Sequence, residues 1–359
     1  MIKQKIINTL CKNPEWYNTI FAYSQYREFQ ILCKEHKFKI SKSEKEEIRN
    51  YWNKYYKNVN LYPHTLYYNL NGIKDVRYIP DHLYYRYIDP YFNNMKYNEA
   101  FEDKNYYDMW FKDLKRPNTI IHNIGGIFYN DNYEIISNKD AYDLVKKAFK
   151  KQNELIIKPT VDTNSGKNVK VINKDVNILE LFDKYRSNFI IQELVKQHKE
   201  LQKSHKESLN TIRVMSLLWK NEVVILGAVH RMGRGEARVD NSNMGGIHVG
   251  INPDGSLMET AYDHKINKYT THPSGFVFKD GKIPNYEKLI ETVKKAHQKF
   301  GYFKLIHWDF SIDETGEPVL IEVNIGKGGI FLLQYARGPL FGDLTEEILE
   351  EIFIKQKKD

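Results

Sequence analysis

Two carboxylates and an amide near the C-terminus lie on two short apolar segments joined by a glycine-containing turn. The segments are residues 305–312 and 319–323, and their pattern predicts a β-hairpin. Asp309 lies on the first strand, and Glu322 and Asn324 lie on the second. If the hairpin closes, these side chains converge. Carboxylate and amide oxygens suit a hard divalent cation, most naturally Mg²⁺, with Mn²⁺ as a second option.

Side chains alternate along each strand, and this decides which residues share a face with the carboxylates. On the first strand His307 shares the face of Asp309. On the second strand, strict alternation places Leu320 on the face of Glu322 and Asn324. The alternative interpretation is a hairpin with one solvated face and no metal, and spacing alone does not separate the two.

The segment 307–324 resembles the metal-binding hairpin of the ATP-grasp superfamily, in which an Asp is followed by the pattern (I/L)-E-x-N on the next strand. The resemblance implies that Asp309, Glu322 and Asn324 hold the ions that bridge the phosphates of ATP. It also implies an α+β (α/β) fold in which antiparallel sheets sandwich the nucleotide. A helical N-terminal region is added to that fold.

By the same resemblance, two lysines match positions that reach the nucleotide phosphates. Lys104 precedes a short predicted helix, and Lys158 lies on the predicted strand 154–159. An amine on an otherwise apolar strand is costly without an anionic partner, which favours a function for Lys158. For Lys104, a solvated surface lysine is an equally good interpretation. The loop that follows resembles the phosphate flap, whose expected contacts are Ser165, Gly166 and Lys167.

The resemblance also assigns the rest of the nucleotide site. Residues 188–194 are predicted to be a strand, whose end binds adenine through Glu193 and the backbone of Leu194 and Val195. Glu200, seven residues after Glu193, is the expected ribose contact, although a solvated charge in a lysine-rich turn fits equally well. Further nucleotide contact is expected from Asn210.

Two arginines stand at matching ends of a second predicted hairpin, formed by residues 212–219 and 222–230. Arg213 and Arg231 could clamp an acyl phosphate or a substrate carboxylate bidentately, and Lys158 is the third expected catalytic residue. Surface arginines are the alternative.

The combined text S-x-N-T-I-R, H-R-M-G-R, V-D-N and G-G-I resembles the sugar-transfer-associated branch of ATP-grasp proteins, which is linked to polysaccharide assembly. The substrate-binding candidates implied by it are Asp240, Asn241, Gly245, Gly246 and Lys327. Asp240 and Asn241 could equally cap a loop.

The amino-acid composition limits the classes of partner that the chain is expected to bind. The chain has 359 residues and a net charge of +8, from 54 basic and 46 acidic residues, so its surface favours anions. Nucleic acid is not expected, because no nucleic-acid motif is present. Two cysteines, too few for a disulfide framework, indicate a reducing compartment such as the cytoplasm. We find no apolar run long enough to span a membrane and no signal peptide, and leave a peripheral membrane contact and the oligomeric state open.

The expected organisation has four parts. Residues 1–60 form a helical region, residues 61–137 a region preceding the ATP-grasp fold, residues 138–200 the small lobe with the flap, and residues 201–359 the large lobe with the metal site. Tyrosines, prolines and a glycine over residues 58–90 predict an irregular region with short elements that follows the surface.

The expected reaction is ATP-dependent ligation of a carboxylate to an amine through an acyl phosphate. The acceptor is a small molecule or glycan precursor, either a sugar acid or an amino acid. A kinase acting on a sugar or polyol hydroxyl is the alternative, and it needs a base such as Asp240, Asp309 or His230. A third interpretation is a non-enzymatic protein that senses nucleotides or binds glycans through a retired ATP site. The presence of Lys158 and of all three metal-site residues disfavours it.

Overall fold

The strands form two antiparallel sheets, one from the middle of the chain and one from its C-terminal half. The computed structural model describes residues 14–161, 168–238, 240, 245–326 and 328–355. The strands are β1 (Thr119–Ile124), β2 (Ile127–Tyr129), β3 (Ile135–Ile136), β4 (Glu154–Pro159), β5 (Lys170–Asn173), β6 (Phe189–Glu193), β7 (Thr211–Trp219), β8 (Glu222–Met232), β9 (Ile247–Ile251), β10 (Leu257–Asp263), β11 (Lys268–Tyr269), β12 (Leu305–Ile312) and β13 (Pro318–Ile325).

The first sheet has six strands in the order β3-β2-β1-β6-β4-β5, and the second has seven in the order β11-β10-β9-β8-β7-β12-β13. The antiparallel sheets and both predicted hairpins are therefore confirmed. Strands β1 to β3 pair into the same sheet as β4 to β6, so the expected boundary at residues 137 and 138 falls within one sheet.

The helices lie mainly at the two ends of the chain and on the outer faces of the sheets. They are α1 (Pro14–Glu35), α2 (Lys42–Trp52), α3 (Tyr62–Asn71), α4 (Asp81–Leu83), α5 (Asp89–Phe92), α6 (Asn98–Glu102), α7 (Tyr107–Trp110), α8 (Asn138–Phe149), α9 (Ile178–Tyr185), α10 (Lys199–Ser204), α11 (Tyr286–His297), α12 (Phe331–Arg337) and α13 (Thr345–Glu350). None of the helices in the described part of the chain is both long enough and apolar enough to span a bilayer.

Two helices begin at capping boxes that satisfy their first backbone N–H groups. Ser41 caps α2 and exchanges hydrogen bonds with Glu44, and Ser137 caps α8 and does the same with Asp140. The buried stripe of α8, which includes Val145, packs in one apolar cluster with residues of the six-stranded sheet and of α9. This packing fixes the outer face of the six-stranded sheet and leaves its other face to the cleft.

The seven-stranded sheet has one apolar face and one divided face. On the apolar face, Val214, Trp308 and Phe310 pack in one cluster with Leu289 and Val293 of α11. The opposite face packs at one end against the N-terminal helices, and at the other end it carries Asp309 and the two arginines. The charged site therefore lies beside an extensive apolar core.

The segment 58–90 consists of short elements, as predicted, but it does not follow the surface, and that part of the prediction is wrong. It is mostly helical, and Tyr67, Tyr78 and Tyr84 are fully buried. Pro63 lies in the first turn of α3, where proline interrupts no helical hydrogen bond, and Pro90 follows the π-helical turn Tyr84–Ile88. Stacked tyrosines, such as Tyr67 on Tyr78 with ring centroids 4.7 Å apart, build a core that hydropathy alone does not indicate.

The metal-site hairpin contains a β-bulge that strict alternation did not predict. Asp309 pairs with Glu322, but the next residue, Phe310, pairs with Leu320, so Ile321 has no partner. Leu320 therefore lies on the apolar face with Phe310, and the predicted face-sharing of Leu320 with Glu322 is wrong. The bulge also lets Ile321 line the cleft between the sheets.

Candidate functional site

The cleft between the two sheets contains a cavity of about 720 Å³. The first sheet contributes residues of β4, β5 and β6, and the connection 194–199 forms one wall. The turn and second strand of the metal-site hairpin contribute Glu314 and Ile321. A cavity of this size between two sheets is a suitable binding site for a small molecule.

Two lysines meet beside Glu322. Asp103 caps the 3₁₀ turn Lys104–Tyr106, and Asn105 fixes that turn to the first sheet through hydrogen bonds to Asn123 O (3.1 Å) and Thr160 Oγ1 (2.9 Å). This anchoring holds Lys104 Nζ 2.7 Å from Glu322 Oε1.

Lys158 lies on β4 and is also buried. Burial and, to a smaller extent, the neighbouring Lys104 lower the pKa of Lys158 to about 8, while Glu322 and Asp108 oppose the shift. A buried amine that shares one carboxylate with a second amine favours an additional anion.

Asp309 is held by both arginines. Arg213 donates to it through Nε and Nη2, at 2.7 and 2.6 Å, and Arg231 Nη1 lies 3.1 Å from Oδ2. Burial alone would raise the pKa of this carboxyl, but the two guanidinium groups lower it below its ordinary value. Asn324 Nδ2 lies 3.4 Å from the same Oδ2 atom.

The donor set fits a hard divalent cation. Asp309 and Glu322 are direct cross-strand partners, and Asn324 lies two residues further along the second strand. Within the described ranges, no group of three or more His, Cys, Asp or Glu side chains gathers as a metal site. Two carboxylates and an amide oxygen therefore need water or phosphate oxygens to complete a shell, which is the usual situation of Mg²⁺.

Arg231 is positioned by a second acid. Its Nη2 lies 3.6 Å from Asp240 Oδ1, and Asp240 Oδ2 accepts hydrogen bonds from the backbone N–H and the hydroxyl of Thr211. Burial raises the pKa of Asp240, with Arg231 opposing the shift. Of the predicted acceptor-site residues, Asp240 thus contacts the arginine pair.

A family model described as sugar-transfer associated ATP-grasp matches residues 84–348. The chain belongs to the sugar-transfer associated ATP-grasp family. The match covers most of the chain and includes both lysines, both arginines and the metal-site hairpin. No curated protein matches the sequence.

Three solved structures to which this chain is similar are a ligase, a carboxylase domain and a second ligase. An L-amino acid ligase from Bacillus licheniformis has 11% identity and a TM-score of 0.39, over 73% of this chain and 49% of that chain. The biotin carboxylase domain of 2-oxoglutarate carboxylase from Hydrogenobacter thermophilus, solved with MgADP and bicarbonate, has 14% identity and a TM-score of 0.42, over 71% and 45%. The ligase PsnB with its minimal precursor, Mg and ADP has 12% identity and a TM-score of 0.43, over 73% and 62%. The chain thus spans between 45% and 62% of the length of these three proteins.

In this ATP-grasp chain, the residues predicted to bind adenine lie at the cavity, but a neighbour has the better-placed side chain. Glu193, Leu194 and Val195 all line the cavity. Pairing of β4 with β6 places Gln192 on the face of Lys158, whereas Glu193 lies on the opposite face. Gln192 Nε2 donates to Thr119 Oγ1 at 2.9 Å, and its Oε1 has no hydrogen-bond partner. The sequence analysis missed Gln192, which alternation along β6 would have found once the register to Lys158 was known.

Two other predicted nucleotide contacts do not line the cavity. Glu200 is solvent-facing and pairs with Lys203 at 2.6 Å. Asn210 is buried and engaged within the protein: Nδ2 donates to Leu201 O (2.8 Å) and His205 O (2.7 Å), and Oδ1 accepts from Ser208 (2.8 Å). These hydrogen bonds give Asn210 a role in fixing the loop before β7.

Five predicted contacts lie outside the described residues: Ser165, Gly166, Lys167, Asn241 and Lys327. Gly245 and Gly246 immediately precede β9, the neighbour of the strand that carries Arg231. Gly245 has a φ of +92°, a conformation that favours glycine. His230, the expected alternative base, points to the apolar face, where its ring nitrogens contact Ser204 and Thr211 O.

Proposed function

We propose that the protein is an ATP-dependent carboxylate–amine ligase that acts through an acyl phosphate. One observation carries the proposal. Two lysines meet beside Glu322, the direct cross-strand partner of Asp309, and two arginines hold Asp309. Lys158 also lines the cavity between the sheets. Lysine amines suit phosphate oxygens, and arginine forks suit an acyl phosphate or carboxylate.

In the first step, a carboxylate oxygen of the acid attacks the γ-phosphorus of ATP, and the bond to the β–γ bridging oxygen breaks. The products are the acyl phosphate and ADP. Lys104 and Lys158 would bind the phosphate oxygens, and Arg213 and Arg231 would orient the acid and the acyl phosphate. In the second step, an amine attacks the carbonyl carbon, inorganic phosphate leaves and the amine loses a proton.

Asp309, Glu322 and Asn324 would hold Mg²⁺. When bound, the ion neutralises charge on the phosphates. Asp309 also fixes the two guanidinium groups, because both donate to its carboxylate. The same side chain would therefore connect the metal to the acceptor side of the cleft.

The acid is proposed to be a sugar acid or an amino acid used in building a surface polysaccharide such as a capsule. The family description, which refers to sugar transfer, supports this class. The net charge of +8 supports an anionic acid and a peripheral contact with membranes that carry lipid-linked sugars. We place the reaction in the cytoplasm, where ATP is available and the buried thiol of Cys33 stays reduced.

A kinase remains the second candidate because one acid could act as its base. The pKa of Asp240 is raised by burial, which moves this carboxyl toward the range of a general base. Asp309 is occupied by the arginines, and His230 points away from the cleft.

The deciding measurement is release of ADP and phosphate from the purified protein with Mg·ATP, against acids, amines and hydroxyl compounds supplied singly and in pairs. A ligase releases both ADP and phosphate only with an acid and an amine together. ADP without free phosphate, produced with a hydroxyl compound alone, would support the kinase. If no compound, alone or in a pair, led to ADP release, both proposals would be contradicted.

A further inference from the structure

Beyond the arginines, a buried histidine lies on the same face of the seven-stranded sheet. His248 on β9 pairs directly with Arg231 on β8 and with Tyr262 on β10. It has no exposed surface, and neither ring nitrogen has a hydrogen-bond partner. With strands about 4.8 Å apart, His248 stands three strands, or about 14 Å, from the strand of Asp309.

The other buried histidines described between residues 201 and 359 have hydrogen-bond partners; His307 has one, the Tyr84 hydroxyl at 3.4 Å from Nε2. Both ring nitrogens have partners in four of them: His205, His230, His272 and His297. Leaving a buried polar group unpaired costs roughly 1–3 kcal/mol, so an imidazole with two unpaired nitrogens indicates a missing partner.

The neighbouring Arg231 has an unpaired atom as well. Its terminal nitrogens face Asp309 and Asp240, but its Nε has no partner. His248 and Arg231 are cross-strand partners, and together they have three polar atoms without a hydrogen-bond partner, two on His248 and one on Arg231. A ligand that satisfies them would extend from the arginines toward β9.

The charges around this position are already balanced. Two acids, Asp309 and Asp240, face the two guanidinium groups of Arg213 and Arg231, and Arg234 lies 3.9 Å from Asp263. Burial, together with Arg231 and against the opposing charge of Asp263, lowers the pKa of His248 to about 3. The imidazole is therefore neutral and can donate from one nitrogen and accept at the other. The missing partner is therefore a neutral group that both donates and accepts, as a hydroxyl does.

Aromatic rings complete the surroundings. The ring centroids of Tyr335 and Tyr262 lie 6.3 and 6.1 Å from that of His248, and 6.0 Å from each other. Aromatic side chains give an apolar surface beside the polar atoms, a combination that suits a ring with C–H faces and hydroxyl edges.

We propose that His248 and Nε of Arg231 bind hydroxyl groups of the acid substrate, so that the acid is a hydroxylated, sugar-like acid and not an amino acid without hydroxyls. This inference rests on the proposed ligase function and specifies its substrate class. His248 is a positioning residue that holds the acid while the carboxylate reacts near Asp309. His248 is closed to solvent in this structure, so the proposal requires the side chains above it to move when the acid binds.

The test compares three variants of the full-length protein: His248→Phe, His248→Gln and, as a matched control, His297→Phe. Each is assayed for ADP release with D-glucuronate, D-galacturonate, cyclohexanecarboxylate and L-alanine as acids, with ammonium, L-lysine or glycine as the amine. For the accepted uronic acid, His248→Phe should raise KM by on the order of 10- to 100-fold and leave KM for ATP unchanged. His248→Gln, which keeps a donor and an acceptor, should recover much of the affinity.

Thermal unfolding separates this role from a structural one. His248→Phe removes unpaired polar atoms and should not lower Tm, whereas His297→Phe removes two buried hydrogen bonds and should lower Tm without changing KM for the acid. An unchanged KM for the acid in His248→Phe would overturn the inference. That result is expected if a water molecule, and not the acid, binds the two ring nitrogens.

The substrate panel separates the inference from the function. Turnover of cyclohexanecarboxylate or L-alanine, without turnover of either uronic acid, would overturn the sugar-acid inference and leave the ligase in place. If none of the acids led to ADP release, the ligase function would be contradicted. The inference, which rests on that function, would be contradicted as well.

Discussion

The two lysines and the two arginines of the site end on neighbouring carboxylates, yet their charges are balanced differently. Lys104 and Lys158 share one carboxylate, that of Glu322, and burial lowers the pKa of Lys158 to about 8. The arginines face two carboxylates and donate three hydrogen bonds to Asp309 alone.

The lysine cluster is therefore suited to bind an incoming anion, whereas the arginine cluster is held in place by its own carboxylates. The amine of Lys158 is disfavoured by burial and by the neighbouring Lys104, so an incoming anion gains from binding there. The arginines are already paired, so their geometry is fixed before any substrate arrives, and breaking it is costly. We therefore expect substitutions at the lysines to change binding and those at the arginines to change stability as well.

The largest effect should come from Glu322→Gln, which removes the carboxylate that Lys104 contacts. Without it the metal set loses one of its two charged donors, and turnover should fall by about 10³-fold or more. The fold should remain intact because Glu322 is only partly buried and Lys104 can pair with bound phosphate. ADP release and thermal unfolding check the two statements.

Glu317→Gln is the matched control, since Glu317 lies on the turn of the same hairpin and pairs with Lys288 outside the cleft. It should keep wild-type activity. Normal turnover in Glu322→Gln would remove this residue from the metal set.

The second effect concerns stability and has opposite signs at the two clusters. Lys158→Met removes an amine whose charge is penalised by burial and should raise the free energy of unfolding at pH 7 by roughly 3 kcal/mol. Arg231→Met should instead lower it by about 3 kcal/mol, because it leaves Asp309 and Asp240 with less compensation. Chemical denaturation measures both.

The pH dependence of the Lys158→Met gain follows from the lowered pKa. Between about pH 8 and 10.5, folded wild-type protein has lost the Lys158 proton while the unfolded chain keeps it, so wild-type stability rises with pH. The gain of the variant should be complete below pH 8 and gone near pH 10.5. A gain that is constant across this range would show that packing, and not charge, is responsible.

The third effect is on nucleotide affinity. In Lys158→Met the phosphates lose one charge-assisted partner, and Kd for ATP measured by calorimetry should rise about 10- to 100-fold. Lys170→Met, on the exposed edge of the same sheet, is the control and should bind ATP normally. Unchanged affinity in Lys158→Met would contradict the phosphate role.

The sequence predicted the strands that carry these clusters because they are set by local patterns. Alternation and turn composition defined β12 and β13, and a single lysine on an apolar strand marked Lys158. The family resemblance then identified which polar residues on those strands to examine, and the structure brings Lys104, Lys158, Asp309 and Glu322 together.

Other features depend on pairing between distant segments, which no local pattern contains. The bulge at Ile321 changes the face of Leu320, and only the register with Phe310 reveals it. The tyrosine core of residues 58–90 forms because distant rings stack. The role proposed for His248 depends on its pairing with Arg231, which lies on a different strand. Tertiary context therefore decided these positions.

The smallest effect should come from Gln192, which lies on the face of Lys158 yet carries no charge. Its unpaired Oε1 can accept a hydrogen bond from the exocyclic amine of adenine but not from the carbonyl oxygen of guanine. Gln192→Met should therefore weaken ATP binding about 3- to 10-fold, leave GTP binding unchanged and so lower the preference for ATP. Gln202→Met, which also alters a glutamine lining the cavity, should leave the ratio of the two Kd values as it is. If Gln192→Met weakened the binding of ATP and GTP equally, Gln192 would support the shape of the cleft through its hydrogen bond to Thr119. The site would then bind the phosphates without distinguishing the two bases.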